Sequence, residues 1–276
     1  MRGCRMTDSG TYRPAALCLL LMAMPASAHA RTICTIVADV ADGNIVVEQG
    51  DCRTRVTPAS TFKIALAVMG FDSGFLTDAH SPTLPYREGY VDWGGDAWKQ
   101  PTDPTRWLKY SVVWYSQQIT QGLGTERLEH YASKFGYGNA DFSGDPGKHN
   151  GLERAWISSS LKISPREQVA FLEHIVGRTL PVAPHVFDQI DRIVEVLPSG
   201  EWETHGKTGM AYPRKADESF DEARAYGWFV GWAVKGNRTL VFARLIQDEK
   251  KEPGPAGNRA RDAFLEELPS LAASLK

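Results

Sequence analysis

The chain has 276 residues, 42% of them hydrophobic and 23% charged, which suits one large or two small globular lobes around a true core. A net charge of −2 gives no electrostatic footprint for nucleic acid or an anionic membrane surface.

The N-terminus differs in kind from the rest. Arg2, Arg5 and Arg13 precede Ala15 to Met24, an apolar run of about ten residues that is too short to span a bilayer as a helix. Pro25-Ala26-Ser27-Ala28-His29-Ala30 follows and ends in A-x-A. Residues 1–30 therefore read as a cleaved secretory signal, with Arg31 the first mature residue, a periplasmic location, and no membrane association once the leader is gone. Cleavage removes Cys4 and Cys18 and leaves Cys34 and Cys52. These two flank a predicted hairpin, Ile36-Val37 and Ile45-Val46-Val47 on either side of a turn near Gly43, which would bring the two thiols opposite each other in a compartment that permits a disulfide. Two small buried thiols are the alternative. Neither cysteine has metal-ligand spacing.

From Thr57 the pattern turns helical. Thr57 is a good N-cap, Pro58 fits the first helical position, and Ala65, Leu66, Val68 and Met69 continue the helix until Gly70 or Gly74. Ser60 and Lys63 then share a face at spacing i, i+3. The free N–H groups of the first turn suit a serine that must become an alkoxide-like nucleophile. S-x-x-K is expected about once by chance in a chain this long, and a second copy does occur at Ser159 to Lys162. That copy precedes the capping box Ser164-Pro165-Arg166-Glu167, so it lies outside a helix and is set aside.

Residues 78 to 103 carry Pro82, Pro85 and Pro101 with little periodicity, and open a helical lobe inserted over roughly residues 78–180. Asp103-Pro104 caps a helix in which Trp107, Leu108, Val112 and Tyr115 recur until Gly122, with Ser111-Val112-Val113 inside it. Thr125 caps the next helix, which stops at Gly136, and Tyr137-Gly138-Asn139 follows at once. A polar loop over 139–151 leads to Ala155-Trp156-Ile157 and the helix capped by Ser164. The last third reads as strands over 202–210, 226–234 and 239–246, the first of them carrying Lys207-Thr208-Gly209, and residues 259–268 close the chain as a helix. The fold class is α+β: one domain, residues 31–276, with an antiparallel sheet covered by terminal helices and a helical lobe inserted between its strands.

Taken in order, S-x-x-K, Ser-x-Val, Tyr-Gly-Asn and K-T-G form a signal far more specific than any member. With Pro58 to Ile64, His205 to Gly209 and Tyr226 to Trp232, the chain resembles the class D, or OXA-type, serine β-lactamases over essentially its whole mature length. Class A enzymes carry S-D-N, where Val112-Val113 follow Ser111 here. The histidines lack H-E-x-x-H and there is no G-x-S-x-G elbow, so a metalloenzyme or a Ser-His-Asp hydrolase lacks its parts.

No carboxylate is evidently placed to activate water. Phe62, Ile64, Val113 and Trp156 would desolvate Lys63 and favour its neutral amine, which can add carbon dioxide. The resemblance implies a β-lactam substrate and no diffusible cofactor. It also implies N6-carboxylation of Lys63 as general base, with the Trp156 indole N–H holding the carbamate. Acyl-transfer chemistry then gives Ser60 and Met210 N–H groups as the oxyanion hole, Ser111 as proton relay tuned by Lys207, and Thr208, Gly209 and Arg259 at the substrate, with Arg261 and Arg244 as alternatives to Arg259. The rival function is a penicillin-binding sensor or a low-molecular-mass penicillin-binding peptidase that stops at the acyl-enzyme. Monomer and homodimer are equally open.

Overall fold

In the computed structural model, Met1 and residues 30–274 are described; the leader assigned to residues 1–30 lies almost wholly outside them. The strands are β1 (Ala30–Asp39), β2 (Asn44–Gly50), β3 (Glu195–Ser199), β4 (Trp202–Ala211), β5 (Tyr226–Lys235) and β6 (Arg238–Asp248). They form one six-stranded sheet in the order β2-β1-β6-β5-β4-β3, with every neighbouring pair antiparallel. The helices are α1 (Phe62–Asp72), α2 (Pro104–Tyr110), α3 (Val113–Leu123), α4 (Thr125–Lys134), α5 (Gly151–Arg154), α6 (Pro165–Val176), α7 (His185–Ile193) and α8 (Ala256–Ala273).

Alternation along the strands splits the apolar side chains between two cores. Phe229, Phe242, Val37 and Ala233 meet Ala260, Phe264 and Leu268 of α8 on one face. Trp228, Val230, Val241 and Ala243 meet the helical lobe on the other. Among the described residues the C-terminal helix α8 covers one face of the sheet. On the other face α6 packs against β1, β5 and β6. At the lobe's centre stands α1, buried on every side from Phe62 to Phe71, as a helix apolar all round must be. Cys34 and Cys52 are joined, with Cα atoms 5.1 Å apart. The hairpin register pairs Cys34 with Gly50 after a bulge at Val37/Ala38, so Cys52 reaches its partner from just beyond the end of β2.

Three local expectations fail for physical reasons. Thr57 does not cap α1: a 3₁₀ turn over Ala59–Thr61 intervenes, and the Thr57 hydroxyl donates instead to the Trp156 carbonyl at 2.8 Å. The helix expected from Pro104 to Gly122 is two helices, broken at Ser111, which adopts φ 58° and ψ 34°. Thr125 is the first residue of α4 and Gly124, at φ 79°, is its cap. The Ser164–Glu167 capping box forms as read.

Candidate active site

Ser60 sits in the 3₁₀ turn that feeds α1, and Lys63 is in the first turn of the helix itself. Their Oγ and Nζ atoms lie 3.1 Å apart. Because α1 is buried throughout, the Lys63 side chain has no solvent exposure. Burial pushes its pKa well below the ordinary lysine value, and the nearby Lys207 charge pushes the same way. The ring of Phe62 contacts those of Tyr137, Phe142 and Trp156 at 5.6–5.7 Å, which walls this helix end with aromatic carbon.

The chain at 156–158 is stapled to the turn before the nucleophile. Ala59 N–H donates to the Trp156 carbonyl at 3.0 Å, Ser158 N–H donates to Thr57 Oγ1 at 3.0 Å, and the Trp228 indole donates to the Thr57 carbonyl at 2.9 Å. The Trp156 indole N–H, by contrast, is buried and has no hydrogen-bond partner. An orphaned buried donor costs about 1–3 kcal/mol and is rare in a settled core. A carboxylate on the neighbouring lysine is an acceptor of the kind that would satisfy it, so the residues present fit the carbamate.

Ser111 reaches the site because the helix breaks there. Its left-handed backbone turns the chain between α2 and α3, and Val112 takes the N-cap of α3 in extended conformation. Such strain in a non-glycine residue is held only where the surroundings over-determine it. Lys207 Nζ donates to Ser111 Oγ at 3.1 Å and to the Thr208 carbonyl at 3.1 Å. Burial lowers the Lys207 pKa to about 8, with Glu195 acting against this and Arg261 adding to it. Val113, 5% exposed, opens α3 beside these groups.

The strand that brings Lys207 in must approach the nucleophile turn closely, and Gly209 makes that possible. A Cβ there would lie 3.0 Å from the Pro58 carbonyl and 3.2 Å from the Ser60 nitrogen. On the other side Gly257 of α8 sits against the backbone of Gly209. Met210 is 36% exposed, and its Sδ accepts the Ala256 N–H. The Tyr137-Gly138-Asn139 motif lies behind rather than in the site: Tyr137 packs on Phe62 and Phe171, and Asn139 binds Ser160 and Lys162 backbone atoms.

Arg259 does not face these groups. Its guanidinium makes a two-pronged bridge to Asp248 at 2.8 and 2.6 Å and donates to the carbonyls of Pro253 and Gly254. A cavity of about 260 Å³ is lined by Lys207 and Thr208 together with Arg261, Asn258, Lys109 and Glu195. A cavity of about 690 Å³ lies between the 139–148 loop and Tyr212–Arg214; Thr57 and Ser158 line it, and Ser60, Lys63, Ser111 and Lys207 do not.

Residues 33–269 match the penicillin-binding protein transpeptidase domain. The chain is 45% identical to the β-lactamase OXA-9 of Klebsiella pneumoniae over 86% of this chain and 87% of that one. It is 36% identical to the β-lactamase OXA-1 of Escherichia coli over 71% and 68%. The crystal structure of the OXA-427 class D β-lactamase superposes with a TM-score of 0.82 at 45% identity, covering 88% of this chain and 99% of that one.

The chain belongs to the class D β-lactamases. Membership accounts for the absence of an S-D-N motif at Ser111. One residue lining the cavity with Lys207, Glu195, carried no signal in the sequence. Glu195 lies on β3, a five-residue edge strand interrupted by Pro198, too short for a strand period to show. Arg261 was legible only as an alternative, because its direction depends on the rotation of α8.

Proposed function

We propose that this protein hydrolyses the β-lactam amide bond through an acyl-enzyme on Ser60, and so confers resistance to penicillin-type antibiotics. The observation that carries this reading is the pairing of a fully buried Lys63, 3.1 Å from Ser60 Oγ, with a Trp156 N–H that lacks an acceptor. Burial favours the free amine of Lys63. Its lone pair can bond to the carbon of carbon dioxide with loss of one proton, and the Trp156 N–H would hold the resulting carboxylate. When present, that carbamate supplies the base for the Ser60 proton and later for water.

The residues of the chain do the rest. Ser60 Oγ bonds to the lactam carbonyl carbon while the oxygen gathers charge between the Ser60 and Met210 N–H groups, where one lost donor typically costs about two to three orders of magnitude. As the lactam C–N bond breaks, its nitrogen takes the Ser111 proton, and Lys207, hydrogen-bonded to Ser111, replaces it. Thr208 and Arg261 face the same cavity as Lys207 and are assigned to the substrate carboxylate. Arg259 is left out of that role because Asp248 already neutralises it. The leader-like sequence of residues 1–30 and the Cys34–Cys52 disulfide support an oxidising, periplasmic location. Among the described residues no helix is long and apolar enough to cross a membrane.

Steady-state hydrolysis of a chromogenic cephalosporin or penicillin, followed by mass spectrometry, tests the function. Many turnovers per enzyme with return to unmodified Ser60 are expected. A single stoichiometric adduct that persists on Ser60 would place the protein with the sensors or peptidases instead.

A further inference from the structure

Ala59, the residue before the nucleophile, has φ 51°, a left-handed angle that an alanine keeps only where its surroundings impose it. The turn around Ser60 is closed by Thr61, whose hydroxyl and N–H both donate to the Pro58 carbonyl, at 2.7 and 3.2 Å. The Thr61 hydroxyl is held in its turn. It accepts a hydrogen bond at 2.9 Å from Nε2 of Gln168, which lies 107 residues further along the chain.

Gln168 is an unexpected residue for its position. It lies one turn into α6 and is buried together with Val169, Phe171, Leu172 and Ile175. An apolar side chain would fill such a place without the cost of burying an amide. Gln168 and Thr61 are each 1% exposed, so their hydrogen bond is made away from competing water and its loss would leave a buried hydroxyl without its donor.

The start of α6 gives this contact a fixed base. The Ser164–Glu167 capping box sets the first turn, and Arg166 N–H donates to the Cys52 carbonyl at 3.1 Å. Just before the helix, Ile163 exchanges backbone hydrogen bonds with Val56 at 2.9 and 3.0 Å. The chain leading into the nucleophile turn and the helix that carries Gln168 are therefore tied together on both sides of the Gln168–Thr61 bond.

We propose that Gln168 is a positioning residue for acylation: through the Thr61 hydroxyl it holds the strained Ala59–Thr61 turn in the conformation that sets Ser60 Oγ against Lys63. The proposal rests on the acyl-enzyme reading above, and the test separates the two.

The experiment follows single-turnover acylation by benzylpenicillin in stopped flow, with bicarbonate present, for the wild type, Gln168→Leu, Thr61→Val and the double variant, and records a thermal melt of each. A misplaced reacting group can cost up to about a hundredfold in rate, so Gln168→Leu should lower the acylation rate constant at saturating penicillin by about tenfold or more, with the penicillin concentration for half-saturation nearly unchanged. In the Thr61→Val background the same substitution should change that rate constant by less than about twofold, because the acceptor is already gone. Thr61→Ser keeps the hydroxyl and should acylate faster than Thr61→Val, a comparison that does not depend on any Gln168 variant folding. A Gln168→Leu enzyme that melts lower yet acylates at the wild-type rate would reduce Gln168 to a core residue and overturn the proposal. So would an equal loss in both Thr61 backgrounds, or equal rates for Thr61→Ser and Thr61→Val. Failure of the wild type to form an acyl-enzyme would reject the underlying activity instead.

Discussion

Ser111 shows how much a single backbone angle decides. A serine with φ 58° carries left-handed strain of about 1–2 kcal/mol, and here the strain aims the hydroxyl at Lys207. Ser111→Gly keeps the turn and removes the hydroxyl. Chemical denaturation should show a variant at least as stable as the wild type, while acylation falls by roughly two orders of magnitude or more; an unchanged acylation rate would remove Ser111 from the proton path. Sequence identified the serine and lysine motifs by their order along the chain, because each lies on a short local pattern. It gave no hint of the helix break at Ser111, since Trp107, Leu108, Val112 and Tyr115 hold helical spacing through it. The orientation of Arg259 was hidden for a different reason: its partner Asp248 is at the end of β6, and only tertiary packing brings the two together.

At the scale of elements, the site depends on α8, β4 and the nucleophile turn packing with almost no side chain between them. Gly209 and Gly257 are the points of closest approach. A Cβ on residue 257 would sit 2.6 Å from the Gly209 carbonyl oxygen, so Gly257→Ala must push α8 away from β4. Overpacking of this kind typically costs about 1–3 kcal/mol. Thermal denaturation should show that loss, and turnover should fall with it because β4 carries Lys207 and Thr208; a variant with wild-type stability and rate would mean the layers yield freely. The strands β5 and β6 were readable as apolar runs, β4 as the strand-like stretch that carries Lys207-Thr208-Gly209, and the capping box of α6 from its four residues. The edge strand β3 and the one-turn α5 were not, being too short for periodicity to speak.

For the molecule as a whole, two buried lysines at one site are a standing cost to stability. Lys207 has a folded pKa of about 8 against an ordinary value of 10.5. Below 8 both states hold the proton and the cost of burying the charge is present in full. Between about 8 and 10.5 the unfolded chain binds more protons than the folded one, so stability rises with pH across that window. In bicarbonate-free buffer the unfolding free energy of the wild type should therefore climb between pH 8 and 10 relative to Lys207→Met; a constant difference between the two would mean that Lys207 keeps its ordinary pKa when folded. Lys63 acts in the same sense as a free amine, and a neutral amine there is what the proposed carboxylation requires. The most direct test of a carboxylated Lys63 serving Ser60 is penicillin turnover by enzyme stripped of carbon dioxide in mild acid and returned to neutral pH with or without bicarbonate. Stripped enzyme should stall after acylation while bicarbonate restores steady hydrolysis; the same steady rate in both arms would contradict it.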